Sequence, residues 1–153
     1  MVDQIKEPVR LPVTFDRPLS LFAYVIAHGQ VLFRGEQDVE AGRPTTLEVL
    51  FKNVGALSVG MWYRTLTIRT ASPAEEERAL AADPDGGRDR RVFILETESG
   101  GVGHVVAGAL YWAESSAPAD YSSFLIPDHE LPKIRLDGPA PARPAVVRTP
   151  LYY

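Results

Sequence analysis

Residues 103–114, GHVVAGALYWAE, form the longest stretch of the chain in which both alternating sets of side chains are apolar. One set is Val105, Ala107, Ala109, Tyr111 and Ala113; the other is His104, Val106, Gly108, Leu110 and Trp112. β-Branched and aromatic residues suit a pleated surface better than a helix, and a strand apolar on both faces has to be covered on both. The stretch predicts a central strand. Gly108 offers no side chain to pack, so a bend, a bulge or the close approach of another backbone is expected there.

Outward from this strand, residues 91–98 alternate in the same manner and are separated from it by SGGVG, which predicts a hairpin. Residues 20–28 and 30–34 predict a second hairpin, turning at His28-Gly29, where glycine tolerates positive φ. Along residues 46–53, Thr46, Glu48, Leu50 and Lys52 alternate with Leu47, Val49 and Phe51, so the first set is expected to be wet and the second buried. In residues 62–70 the pattern places Trp62, Leu66 and Ile68 inward and Tyr63, Thr65, Thr67 and Arg69 outward, with Arg64 interrupting the inner face. One helix is expected after Ser72. Ser72 is its cap, Pro73 takes the first turn, Glu75 completes a capping box, Glu76 and Glu77 complement the dipole, and Asp83-Pro84 ends it.

Strands at short intervals with one helical insertion predict an all-β fold, an antiparallel two-sheet β-sandwich of about eight strands, with a barrel as the alternative closure. Proline sets the boundaries. Pro8, Pro12 and Pro18 fall near the start, and seven prolines fall between Pro118 and Pro150. Residues 1–18 are expected to be an N-terminal extended arm, 19–126 the β-sandwich body, and 127–153 a Pro-rich C-terminal arm.

At 153 residues the chain suits one domain with a core of its own. It has no cysteine, which removes disulfides, thiolate metal sites and cysteine nucleophiles and fits a reducing compartment; a cytoplasmic location is the expectation. The opening residues mix charges and prolines without a signal-type apolar run, and nothing approaches the roughly 20 apolar residues of a membrane helix. A net charge of −4 with interspersed signs argues against a general nucleic-acid surface.

No motif forces a reaction. Ala56-Leu57-Ser58-Val59-Gly60 is similar in spacing to a nucleophile elbow, but an elbow needs a helix next and MWYRTLTIRT follows, so Ser58 is expected to be a loop hydroxyl. Gly101-Val102-Gly103 precedes a strand and offers no helix N-terminus for a phosphate. His28, His104 and His129 show no ligand spacing, and in His129-Glu130-Leu131-Pro132-Lys133 a lysine stands where a zinc motif needs histidine. Neither a metal nor another cofactor is expected.

Aromatic residues carry the functional signal. Trp62-Tyr63 and Tyr111-Trp112 are adjacent pairs in strands, so each pair sends one ring to each face. The tail adds Arg148, Leu151, Tyr152 and Tyr153, a composition suited to an interface anchor. Together these residues predict a non-enzymatic interaction or assembly module that docks to a protein partner or forms a homo-oligomer. The alternative is a ligand-binding barrel or an enzyme with a pocket built from Arg64, His104, Tyr111 and Glu114.

Overall fold

The computed structural model describes residues 4–82, 89–116, 123–126, 144 and 146–151. Ten strands form one hydrogen-bonded sheet: β1 (Ile5–Val9), β2 (Val13–Phe15), β3 (Leu19–Val25), β4 (Gln30–Gly35), β5 (Thr46–Ser58), β6 (Trp62–Tyr63), β7 (Leu66–Thr70), β8 (Arg91–Glu96), β9 (Val102–Ser115) and β10 (Val146–Pro150). The order is β2-β7-β8-β9-β5-β4-β3-β6, antiparallel throughout, with β10 joined to β9 and β1 running parallel to β10. The expected division into two sheets is therefore not seen in the hydrogen bonding. Its physical reason lies in β5 and β9, which at 13 and 14 residues are long enough to serve both halves of the molecule.

The sheet curls without closing. Its two terminal strands are tied to distant members by short links, β2 to β3 through residues 16–18 and β6 to β7 through Arg64 and Thr65. A link of a few residues reaches only about 3.3–3.6 Å per residue, so the ends of the sheet are held near each other. The interior this creates is filled by rings: Phe51 lies 6.4 Å from Phe33 and 5.7 Å from Phe93, Phe33 lies 5.9 Å from Tyr63, and Phe15 meets Trp112 edge-on at 5.8 Å. Phe15 comes from the expected N-terminal arm, so that segment contributes to the core.

The central strand is β9, covered on both faces as its sequence implies. Val105, Ala107, Leu110 and Trp112 enter the main core, whereas Val106 and Ala113 pack outside it. The inner set therefore changes parity between Ala107 and Leu110, and the strict alternation expected from sequence fails there. Opposite Gly108 stands Asn53 with φ of 54°, and β5 changes parity with it, from Phe51 to Val54. The switch in both strands at one level keeps them paired while each turns its apolar set.

Among the described residues the outer face has two covers. α1 (Pro73–Ala81) lays Ala79 and Leu80 on Val92, Ile94 and Val106. Residues 123–126 lay Ile126 on Val25, Leu32 and Leu50, and Phe124 on Ala113 and Val147. This cover corrects the expected wet face of β5, because Thr46, Glu48 and Leu50 are buried beneath it or beside it. The β1–β10 pair extends the sheet alongside β9 at Trp112, beyond the residues that β8 pairs, and in it Ile5 to Val9 match Val146 to Pro150 residue for residue.

α1 starts as expected. Ser72 Oγ accepts from the Glu75 amide, and the Glu75 carboxylate accepts from the Ser72 amide at 3.0 Å. The same carboxylate takes two bonds from the Arg69 guanidinium, at 2.8 and 2.9 Å, while Arg69 Nε donates to Glu96 at 2.6 Å. The Arg69 bonds, with the Ser72 amide, hold the Glu75 carboxyl down at about 2 against an ordinary 4.5. A carboxyl with a lowered folded-state pKa contributes stability above its unfolded value and loses it as pH falls through the folded one. The Glu75 side-chain resonance is accordingly expected to titrate near pH 2, with the helix cap loosening between pH 4.5 and 2. A titration midpoint near 4.5 by NMR would contradict the pairing.

Candidate functional site

The β3–β4 hairpin is built by its turn. His28 and Gly29 take φ of 61° and 54°, and Gln30 Nε2 donates to the Ala27 carbonyl at 3.0 Å, closing the loop. A Cβ at Gly29 would sit 3.2 Å from the Val54 carbonyl, so glycine fits both the dihedral and the close approach. β3 pairs with β4 along its length, but on its other side β6 covers only Leu19 and Ser20, with one more bond from the Leu21 amide to the Met61 carbonyl. Beyond that point β3 has no strand on its outer edge among the described residues.

That edge is apolar. Nine large hydrophobic side chains of the described residues are exposed, and five of them gather here: Phe22 and Tyr24 on β3, Ile26 just after it, Trp62 on β6 and Met61 just before it. It is also uncharged, since no Asp, Glu, Lys or Arg occurs from Leu19 to Phe33. Sheet edges are ordinarily blunted by charges, prolines or bulges. Only the last device is used, a register shift between Leu21 and Ala23 that leaves Phe22 without a partner on β4.

A buried polar cluster stands behind Phe22. The Arg34 guanidinium lies 3.9 Å from the Phe22 ring centre and donates to Glu48 Oε2 from Nε at 3.1 Å and Nη2 at 2.6 Å. Glu48 Oε1 accepts from the Ser123 hydroxyl at 2.6 Å and the Leu125 amide at 3.1 Å. Glu48 is 0% and Arg34 3% exposed, so this ion pair is removed from water and clasps residues 123–126 to the outer face. It also fixes the plane on which Phe22 rests, linking core polarity to the shape of the edge.

No family model, curated protein or solved structure is significantly similar to this chain. The reading of the surface therefore rests on its own chemistry.

The aromatic pairs divide differently from the sequence expectation. Trp62 is 59% exposed and Tyr63 6%, the reverse of the expected order, because β6 and β7 are separate strands and the break at Arg64 and Thr65 resets the alternation. Tyr63 faces the core and its hydroxyl accepts from the Gly60 amide at 2.7 Å. Trp112 is likewise a core residue rather than a partner contact, and Tyr111 lies partly buried on the outer face with the Lys6 ammonium 5.3 Å from its ring centre. Of these four, Trp62 remains on the open surface. Arg148 pairs opposite Trp112 and lies 3.7 Å from the Glu7 carboxylate, and the Leu151 amide donates to the Val9 carbonyl, so both are engaged within the chain. Tyr152, Tyr153 and His129 lie outside the described residues.

The expected pocket of Arg64, His104, Tyr111 and Glu114 is not assembled. His104 is opposite Ser58 and Ile94, near one end of β9; Glu114 is at the other, where its carboxylate accepts from Thr45 and Arg17. Arg17 belongs to a separate device: its Nη2 donates to the carbonyls of Gly35, Glu36 and Thr45, fastening residues 36–45 to the β2–β3 bend. Burial lowers its pKa from the ordinary arginine value, with Glu114 opposing. Among the described residues no three His, Asp or Glu side chains group to hold a metal ion, and no helix is long and apolar enough to cross a membrane.

Sequence reasoning missed Phe22, Tyr24, Ile26, Arg34 and Glu48. The charge-free run from Leu19 to Phe33 was the available signal for the first three, and the facing positions of Arg34 and Glu48 on paired strands become visible only once the register Arg34↔Glu48 is known.

Proposed function

We propose that this chain is a non-enzymatic assembly module that pairs with a second copy of itself through the outer edge of β3. The observation that supports the reading most is the edge itself, unpaired beyond Leu21 among the described residues, free of charge, and carrying Phe22, Tyr24 and Ile26 exposed. Unpaired strand edges bind other strands, with main-chain bonds supplying affinity and alternate side chains supplying register. A second copy suits this edge because a two-fold axis sets the patch against itself, and antiparallel strands meet in that symmetry. With a net charge of −4, two copies repel in general, but along residues 19–33 no charged side chain is placed opposite its like. Centred on Tyr24, such a pairing sets the two tyrosines side by side, with Ile26, which follows the end of β3 in helical conformation, flanking the paired segment, and apolar cross-strand pairs of this kind stabilise a sheet.

Sedimentation equilibrium of the full chain tests the proposal. Dimers are expected across the upper part of the concentration range, and Tyr24→Lys combined with Ile26→Lys should give a monomer that melts where the dilute, monomeric wild type does, because both side chains are exposed. A wild-type monomer at every concentration, or a dimer indifferent to the two lysines, would sink it.

A further inference from the structure

A second surface feature lies at the end of the curled sheet, where the β8–β9 hairpin loop faces residues 58–65. Between them is a cleft of about 650 Å³, within the range that holds small ligands. Its apolar lining includes Trp62 and Val102, both exposed. Two charged residues also line it, Arg64 from the β6–β7 link and Glu98 from the opposite hairpin. Among the described residues neither has a hydrogen-bond or ion-pair partner, and they do not pair with each other. Opposite charges that share a cleft and remain apart leave room for a molecule that meets both.

We infer that this cleft binds a small zwitterion with an apolar body, the chemistry of a free apolar amino acid. Arg64 takes the carboxylate, for which a guanidinium offers paired donors. Glu98 takes the ammonium. The apolar body lies against Trp62 and Val102, and Trp62 presents a large ring face at low entropic cost. The Gly103 backbone sits hard against the Ser58 carbonyl, where a Cβ would collide, so the hairpin wall is held at a fixed distance from β5.

Calorimetric titration with L-phenylalanine, L-phenylalaninamide and 3-phenylpropionate tests the assignment, because the second lacks the carboxylate and the third the ammonium. The wild type is expected to prefer phenylalanine to each analogue by about tenfold, the effect of one charged hydrogen bond at an open site. Arg64→Gln should erase the preference over the amide and leave that over phenylpropionate; Glu98→Gln should do the converse. Both side chains are exposed and unpaired, so the variants keep the parent's melting temperature. Absence of phenylalanine binding, or binding that survives both substitutions, would overturn the proposal.

Discussion

Glu48→Ala is expected to destabilise the fold by about 3–5 kcal/mol, the usual cost of breaking a buried ion pair from one side. The substitution takes the Glu48 carboxylate from the Arg34 guanidinium, 3% exposed, in a place water does not reach. It also removes the acceptor of the Ser123 hydroxyl and one of the two acceptors of the Leu125 amide, which keeps Ser123 Oγ at 3.2 Å. Residues 123–126 then lose their anchor, and Phe124 and Ile126, now 4% and 1% exposed, lose part of the contact that covers Leu50 and Ala113. The double substitution Glu48→Met with Arg34→Met separates charge from packing. It should recover most of the loss, since replacing both ions by apolar groups of similar volume is often near neutral. Urea denaturation of the three proteins measures this, and a cost below about 1 kcal/mol for Glu48→Ala would mean that water already reaches the pair.

Gly108→Val is the second large effect, expected at about 1–3 kcal/mol. A Cβ at Gly108 would stand 2.9 Å from Asn53 Nδ2, 3.1 Å from Asn53 Cβ and 3.3 Å from the Asp89 carbonyl. Asn53 has little freedom to yield. Its backbone holds positive φ, its carbonyl accepts from Arg90 Nε at 2.9 Å, and its side-chain oxygen accepts from Arg90 Nη2 at 3.1 Å. A branched side chain must either displace that amide or part the β5–β9 ladder at the level where both strands change faces. The expected fall in Tm is roughly 2–4 °C per kcal/mol for a chain of this size, and a melt identical to the parent's would show that the parity switch tolerates a side chain.

Gly108 also shows how far the sequence could be read. A missing side chain in an otherwise apolar strand pointed to a special backbone, and Asn53 with Arg90 is what stands there. The faces beyond that point were not legible, because a parity switch in β9 needs a matching one in β5, 55 residues earlier, and neither strand advertises its partner. Local features were the readable ones: the Ser72 capping box, the turn at His28 and Gly29, and the β8–β9 hairpin each depend on residues a few positions apart. Trp62 and Tyr63 were reversed because a break at Arg64 and Thr65 is invisible to a pattern read straight through it. The burial of Glu48 was missed for a different reason. Its cover comes from residues 123–126 and its counter-charge from β4, so the same Thr-Leu-Glu-Val-Leu alternation fits a wet face equally well.

The open edge of β3 was the least legible part of the surface, since Leu21, Ala23 and Val25 read as one face of an ordinary half-buried strand. Whether a strand has one neighbour or two is decided by the rest of the chain. Here β6 ends after Tyr63, and among the described residues no other strand pairs with β3 beyond Leu21.

Amide hydrogen exchange at residues 22–26, followed as a function of protein concentration, tests the proposed self-pairing most directly. Pairing of two β3 edges predicts that protection in this segment rises with concentration while the β5–β9 ladder stays constant, and that Tyr24→Lys abolishes the rise. Exchange at residues 22–26 that is fast and independent of concentration would contradict it.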